Sequence, residues 1–167
     1  CELIAGMHDD QARVTLPGFY DKVRPLPAEE RAELARSPIP EEMTLQQTGA
    51  PALYGEAGYS TTERTGARPT LEVNGLLSGF TSEGSKTVLP SKAMAKISMR
   101  LVPDQDPDEV HQQLLAYLEA KAPKTIRWEV IKMAGCVASI SDRHSKGVQA
   151  YSRAMQRVWG KPPVFKR

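Results

Sequence analysis

Residues 91–102 read Ser-Lys-Ala-Met-Ala-Lys-Ile-Ser-Met-Arg-Leu-Val, and their alternation constrains the chain more than any other feature. Ala95, Ile97, Met99 and Leu101 fall on one side of an extended ribbon, with Lys96, Ser98 and Arg100 on the other, because successive strand side chains point to opposite faces. Such a strand lies with one face on a core and one in water. Leu71 and Val73, alternating with Glu72 and Asn74, predict a companion strand from Thr70. Gly75, Gly79 and Gly84 mark bends between the two.

A helix is expected next. Asp106 is placed as N-cap, Pro107 at a first-turn position and Glu109 as a reciprocal carboxylate, while Val110, Leu114, Tyr117 and Leu118 form a buried stripe ending before Pro123. Ile126, Trp128 and Val130 then share one face of another predicted strand, which would complete a βαβ unit or a split version of one. Val148, Tyr151, Met155, Val158 and Trp159 form a last helical stripe, closed by Gly160 and Pro162. Pro162-Pro-Val-Phe-Lys-Arg167 reads as the start of a short strand.

The first 69 residues are built differently, holding seven of the 13 prolines (Pro17, Pro25, Pro27, Pro38, Pro40, Pro51, Pro69). Pro27 opens a helix whose early carboxylates suit the helix dipole and whose late Arg36 suits its other end, and Pro40-Glu-Glu repeats the device. Ser60-Thr-Thr-Glu63 matches a capping box. Residues 9–69 are therefore expected to be an ordered insertion rather than a linker. The opening Cys1-Glu-Leu-Ile-Ala-Gly-Met-His has helical spacing for two turns only and reads as the tail of a helix, which makes an excised piece of a longer protein the expectation.

Charge and composition narrow the function. With 22 basic and 20 acidic residues the net charge is +2, too small for a nucleic-acid arm or a polybasic membrane patch. No apolar run approaches the roughly 18 residues of a membrane helix. Cys1 and Cys136 form no disulfide framework or metal cluster by spacing, so a reducing, cytoplasmic setting is expected.

Gly79-Phe-Thr-Ser-Glu-Gly84-Ser-Lys86-Thr87 imitates a phosphate loop, but Ser85 separates the second glycine from the lysine and a strand follows instead of a helix. His8-Asp9-Asp10 reads as a polar helix end, since adjacent residues rarely converge on one ion. Glu29-Glu30 and Glu41-Glu42 are explained by first helical turns. His111 and His144 have no nucleophile's partner nearby in sequence. Arg100 stands apart: at mid-strand on a polar face, its planar guanidinium is either a solvated strand arginine or a bidentate grip on a carboxylate.

The stretch from Thr70 to Pro107, above all Lys86-Thr-Val-Leu-Pro90 through Arg100-Leu-Val-Pro103, closely resembles the lid, or dimerisation, domain of di-zinc peptidases of the carnosinase type. That family includes carboxypeptidase G, aminoacylase and succinyl-diaminopimelate desuccinylase. Cys1–Asp9 resembles the end of the lid's first helix, Gly18-Phe-Tyr-Asp with Arg24-Pro the insertion of carnosinase-type members, and Gly160–Arg167 the return toward the catalytic domain. The one departure within the motif is Leu89 in place of isoleucine.

The resemblance implies an α/β fold of the α+β two-layer kind: a ferredoxin-like lid with an antiparallel sheet, helices on one face and a largely irregular and helical insertion near the N-terminus. Residues 1–167 would form one lid, with 9–69 the insertion, 70–133 the core strands and helix, and 144–167 a helix and return strand. It implies a homodimer paired through the lid, contact with the catalytic domain of the same chain, and a dipeptide or N-acyl amino acid substrate. Thr87 and Arg100 would bind that substrate, the arginine holding its terminal carboxylate. Two zinc ions, their ligands, the catalytic Glu, the lid histidine and a Gly-Gly-Ser loop would lie outside residues 1–167, which alone would hydrolyse nothing. The remaining alternative is a free-standing ferredoxin-like ligand-binding or oligomerisation module.

Overall fold

A computed structural model describes residues 1–36 and 39–165. The elements in chain order are α1 (Glu2–Ala5), α2 (Ala28–Ala35), α3 (Glu41–Thr48), α4 (Thr61–Ala67), β1 (Thr70–Ser78), β2 (Ala93–Arg100), α5 (Pro107–Lys121) and α6 (Lys146–Trp159). Lys166 and Arg167, the end of the expected return strand, lie outside the described residues. Pro162–Phe165 precede them without strand pairing, and the Phe165 N–H donates to Glu33 Oε1 at 3.2 Å.

The two alternating segments form an antiparallel hairpin. Its register sets Thr70 opposite Arg100, Leu71 opposite Met99, Glu72 opposite Ser98 and Val73 opposite Ile97, then shifts so that Gly75 faces Lys96. Asn74 is the extra residue of this bulge, so Gly75 lies within the strand rather than at the bend expected from sequence. The bends at Gly79 and Gly84 are present, with φ of 74° and 88°, values a residue with a Cβ adopts reluctantly.

The apolar face of the hairpin rests on α5. Leu71, Val110, Leu114 and Tyr117 are buried together with Met7, Val14, Leu16 and Phe19, while Ile97, Met99, Leu101 and Leu118 pack around them. Segment 7–19 thus shares one core with the hairpin. Gly6 permits its close approach: a Cβ there would stand 2.6 Å from the Tyr117 hydroxyl, which donates to the Leu3 carbonyl at 2.9 Å. Buried Gln105 links the same layers, accepting from the Val102 N–H at 3.0 Å and donating to the Phe19 carbonyl at 2.8 Å.

At the start of α5 the Asp106 carboxylate accepts from the N–H groups of Asp108 and Glu109, and Pro107 stands at the tolerated position. Glu109 does not reach back as a reciprocal cap. It accepts instead from Lys22 Nζ at 2.6 Å, because the loop before α2 brings a cation within reach. The capping box on α4 is complete, with the Ser60 N–H on Glu63 Oε2 at 2.7 Å and the Glu63 N–H on Ser60 Oγ at 3.3 Å.

The strand expected at residues 126–130 does not form. These residues adopt neither helix nor strand and pair with no strand, Lys132 just beyond them pairing with Asp108 at the start of α5, so the described residues form a two-stranded sheet and no βαβ unit. Val130 packs on the core while Ile126 and Trp128 remain exposed. Alternation marks a half-covered ribbon and does not specify a ladder partner. The helix at 146–159 forms where expected, from the Ser145 cap to left-handed Gly160, yet none of its residues is buried. Tyr151, Val158 and Trp159 are 65%, 73% and 65% exposed, because no other described element covers that stripe.

The N-terminal insertion is held by charge. Arg68 forms two hydrogen bonds of 2.7 Å to the Glu56 carboxylate, from Nε and from a terminal nitrogen, and both side chains are 6% exposed. The Arg68 guanidinium also lies over the Tyr59 ring at 4.3 Å and the Tyr20 ring at 5.2 Å. Burial works against its charge, but the Glu56 hydrogen bond and charge prevail and hold Arg68 above the ordinary arginine value. Arg31 adds an ion pair to Glu63 at 2.8 Å and a bond to the Gly58 carbonyl, also at 2.8 Å, tying α2 to α4.

Candidate functional site

The hairpin has a second face. Directly opposed residues of an antiparallel pair point the same way, so the register places Arg100, Ser98 and Lys96 beside Thr70, Glu72 and Gly75. The partners of this face are the residues whose neighbours build the core. Leu71 and Met99 turn inward, which obliges Glu72, Ser98 and Arg100 to turn outward, and all three are exposed. Among the described residues neither Arg100, Lys96 nor Glu72 makes an ion pair or a side-chain hydrogen bond. Thr70 Oγ1, opposite Arg100, is shielded from solvent and has no hydrogen-bond partner.

Thr87 lies elsewhere on the hairpin, in the exposed connection of residues 79–92. Lys86 Nζ sits over the Phe80 ring at 4.7 Å, drawing the two arms of this connection together. An open depression of about 330 Å³ beside Thr87 is lined by Gly79, Val88, Leu89, Pro90, Ser91 and Lys92. Leu89, the departure from the resembled motif, is 95% exposed. Arg100 ends β2 at the far end from this connection, about 23 Å along the strand from Ala93. No contact joins Thr87 to Arg100.

The other sequence candidates have local roles. Asp9 accepts from the N–H groups of Gln11 and Arg13, each at 2.9 Å, and His8 bridges to Val14. Glu29 pairs with Arg143, and Arg143 Nε donates to His144 Nε2 at 3.2 Å. Residues 79–87 lead into β2 without a helix. No group of three or more His, Cys, Asp or Glu among the described residues is arranged to hold a metal. Glu72 is what sequence reasoning missed: the alternation placed it on a polar face, but only the pairing register sets it on the face of Arg100.

A hairpin packed on a helix through one face, with a charged face free on the other and no metal cluster among the described residues, defines a mixed helix-and-sheet domain built to present a surface. The chain belongs to the peptidase dimerisation domain family, whose model matches residues 1–126. It is 31% identical to an M20-family metallo-carboxypeptidase from Sulfolobus solfataricus, with a TM-score of 0.85 over 99% of this chain and 43% of that one. It is 25% identical to the rat Beta-Ala-His dipeptidase over 96% of this chain and 33% of the relative. It is also 25% identical to the Cys-Gly metallodipeptidase of Saccharomyces cerevisiae over 99% of this chain and 35% of the relative. The chain thus spans about a third of the length of these curated relatives. Among the described residues no helix is long and apolar enough to cross a membrane.

Proposed function

We infer that this chain is the lid and dimerisation part of a zinc-dependent dipeptidase or related amidohydrolase, binding and orienting the substrate rather than cleaving it. The observation that carries the reading is Arg100: an exposed guanidinium without a protein partner among the described residues, on a face that the core forces outward. A guanidinium free of internal partners can donate to both oxygens of a terminal carboxylate. Thr87 lies too far along the hairpin to touch a dipeptide held by Arg100 of the same chain, so its hydroxyl would supply a second polar contact to the substrate of a paired copy. Holding the substrate tail turns binding energy into correct placement of the scissile bond, and closure of a lid over it excludes water.

By the family resemblance two zinc ions would be held by residues outside 1–167; among the described residues no group of three or more His, Cys, Asp or Glu is arranged to hold a metal. Homodimeric pairing is supported by the family's description and by the uncovered apolar side chains of α6. Cys1 and Cys136, both free and exposed, are compatible with a cytoplasmic setting.

The test uses the full-length protein. Arg100→Ala lowers kcat/KM for dipeptides with a free terminal carboxylate by about 10²-fold, the loss of a charge-assisted pair, and leaves amidated analogues within about threefold. Equal loss on both classes removes the clamp.

A further inference from the structure

Glu72 is a charged residue of this face to which neither the clamp nor the fold assigns a task. It lies opposite Ser98, which makes it a diagonal neighbour of both Arg100 and Lys96. Diagonal positions across an antiparallel pair stand about 7–8 Å apart. Long side chains can span that step, yet neither Arg100 nor Lys96 contacts the Glu72 carboxylate. Glu72 therefore faces solvent as an unpaired anion one diagonal step from the guanidinium.

We propose that Glu72 reads the side chain of the substrate's carboxy-terminal residue and selects a cationic one; the proposal rests on Arg100 holding the substrate carboxylate. Once that carboxylate neutralises Arg100, the nearest charge along the hairpin is negative. A lysine-type side chain extends its ammonium roughly 6 Å from the Cα, matching the diagonal step between Arg100 and Glu72. The competing cation, Lys96, stands four residues from Arg100 on the same strand, about 13 Å away, with Glu72 between them on the partner strand. An acidic substrate side chain would meet Glu72 before it could reach Lys96. The face thus offers a positive end for the carboxylate and a negative step beyond it, an ordering that fits a basic carboxy-terminal residue and rejects an acidic one.

The experiment uses the full-length protein and three dipeptides identical except for a carboxy-terminal lysine, norleucine or glutamate. The unaltered protein favours lysine over norleucine by about tenfold in kcat/KM, and glutamate ranks last. Glu72→Gln, nearly isosteric and exposed, brings the lysine-to-norleucine ratio within about threefold, and Glu72→Lys raises glutamate above lysine. A ratio unchanged in Glu72→Gln overturns the proposal. Arg100→Ala separates the two readings because all three substrates carry the same carboxylate: it lowers all three alike if the clamp exists. Damage by Arg100→Ala with an intact ratio in Glu72→Gln sinks the selection alone. A silent Arg100→Ala sinks the clamp, and no turnover of any substrate by the full-length protein sinks both.

Discussion

Replacing Glu56 by Gln leaves the shape of the buried pair and removes its charge. In the folded protein Arg68 donates two 2.7 Å hydrogen bonds to Glu56, and both side chains are nearly closed to water. An amide oxygen can accept one of those bonds, while the amide nitrogen turns a donor toward the other. Breaking one partner of a buried pair costs about 3–5 kcal/mol, because the remaining charge stays desolvated. The Tyr59 and Tyr20 rings lie at cation–π distance and already act on Arg68 in the unaltered protein, so they soften the loss without replacing the carboxylate. The expected cost is about 3 kcal/mol, a fall in Tm of roughly 6–12 °C for a domain of this size. Urea unfolding followed by circular dichroism measures it. The combined Glu56→Leu and Arg68→Met variant should recover most of the loss, since no charge then remains buried. A Glu56→Gln variant within about 1 kcal/mol of the parent, or a double variant as costly as the sum of its singles, refutes the reasoning.

Two further outcomes test local structure. Ser60→Ala removes the acceptor of the α4 capping box and should cost about 1 kcal/mol, read from the same unfolding curves; no change would show that α4 is held by Arg31 and Arg68 instead. The Glu33 carboxyl is held below its ordinary 4.5, first by the Arg36 hydrogen bond and then by the Phe165 N–H and the charges of Arg36 and Arg143. A depressed folded value means the stabilisation is present above the ordinary value and is lost as pH falls through the folded one. The contact between α2 and Phe165 should therefore loosen on acidification below pH 4.5, and a Glu33 titration midpoint by NMR at or above 4.5 removes that cause.

What could be read from the residues follows the range of the interactions. The hairpin, α5 and the α4 cap were legible because alternation, helical stripes and caps are set by neighbours within a few residues. Ladder pairing depends on a partner, and so 126–130 reads as a strand while remaining unpaired. The α6 stripe was legible as amphipathic, but amphipathicity does not say whether anything within the chain covers it. Arg100 stood out from its strand position together with the family resemblance. The shared face of Arg100 and Glu72 required the register, and the Glu56–Arg68 pair required a fold that closes residues 56 to 68 around Tyr20 and Tyr59.

The bulge at Asn74 works as a change of phase. Ahead of it the odd-numbered Leu71 and Val73 face the core and the even-numbered Thr70 and Glu72 face outward; beyond it the parity is exchanged, with Gly75 and Leu77 on the outward side. The half of the hairpin that bears Arg100 is thereby rotated, out of step, relative to the half that leads to Thr87. Removing that one residue would restore an unbroken alternation with Gly75 still opposite Lys96, and would take away the bend and added twist that the bulge places between the two halves. The relative bearing of the two groups assigned to the substrate is governed by an asparagine assigned to touch neither.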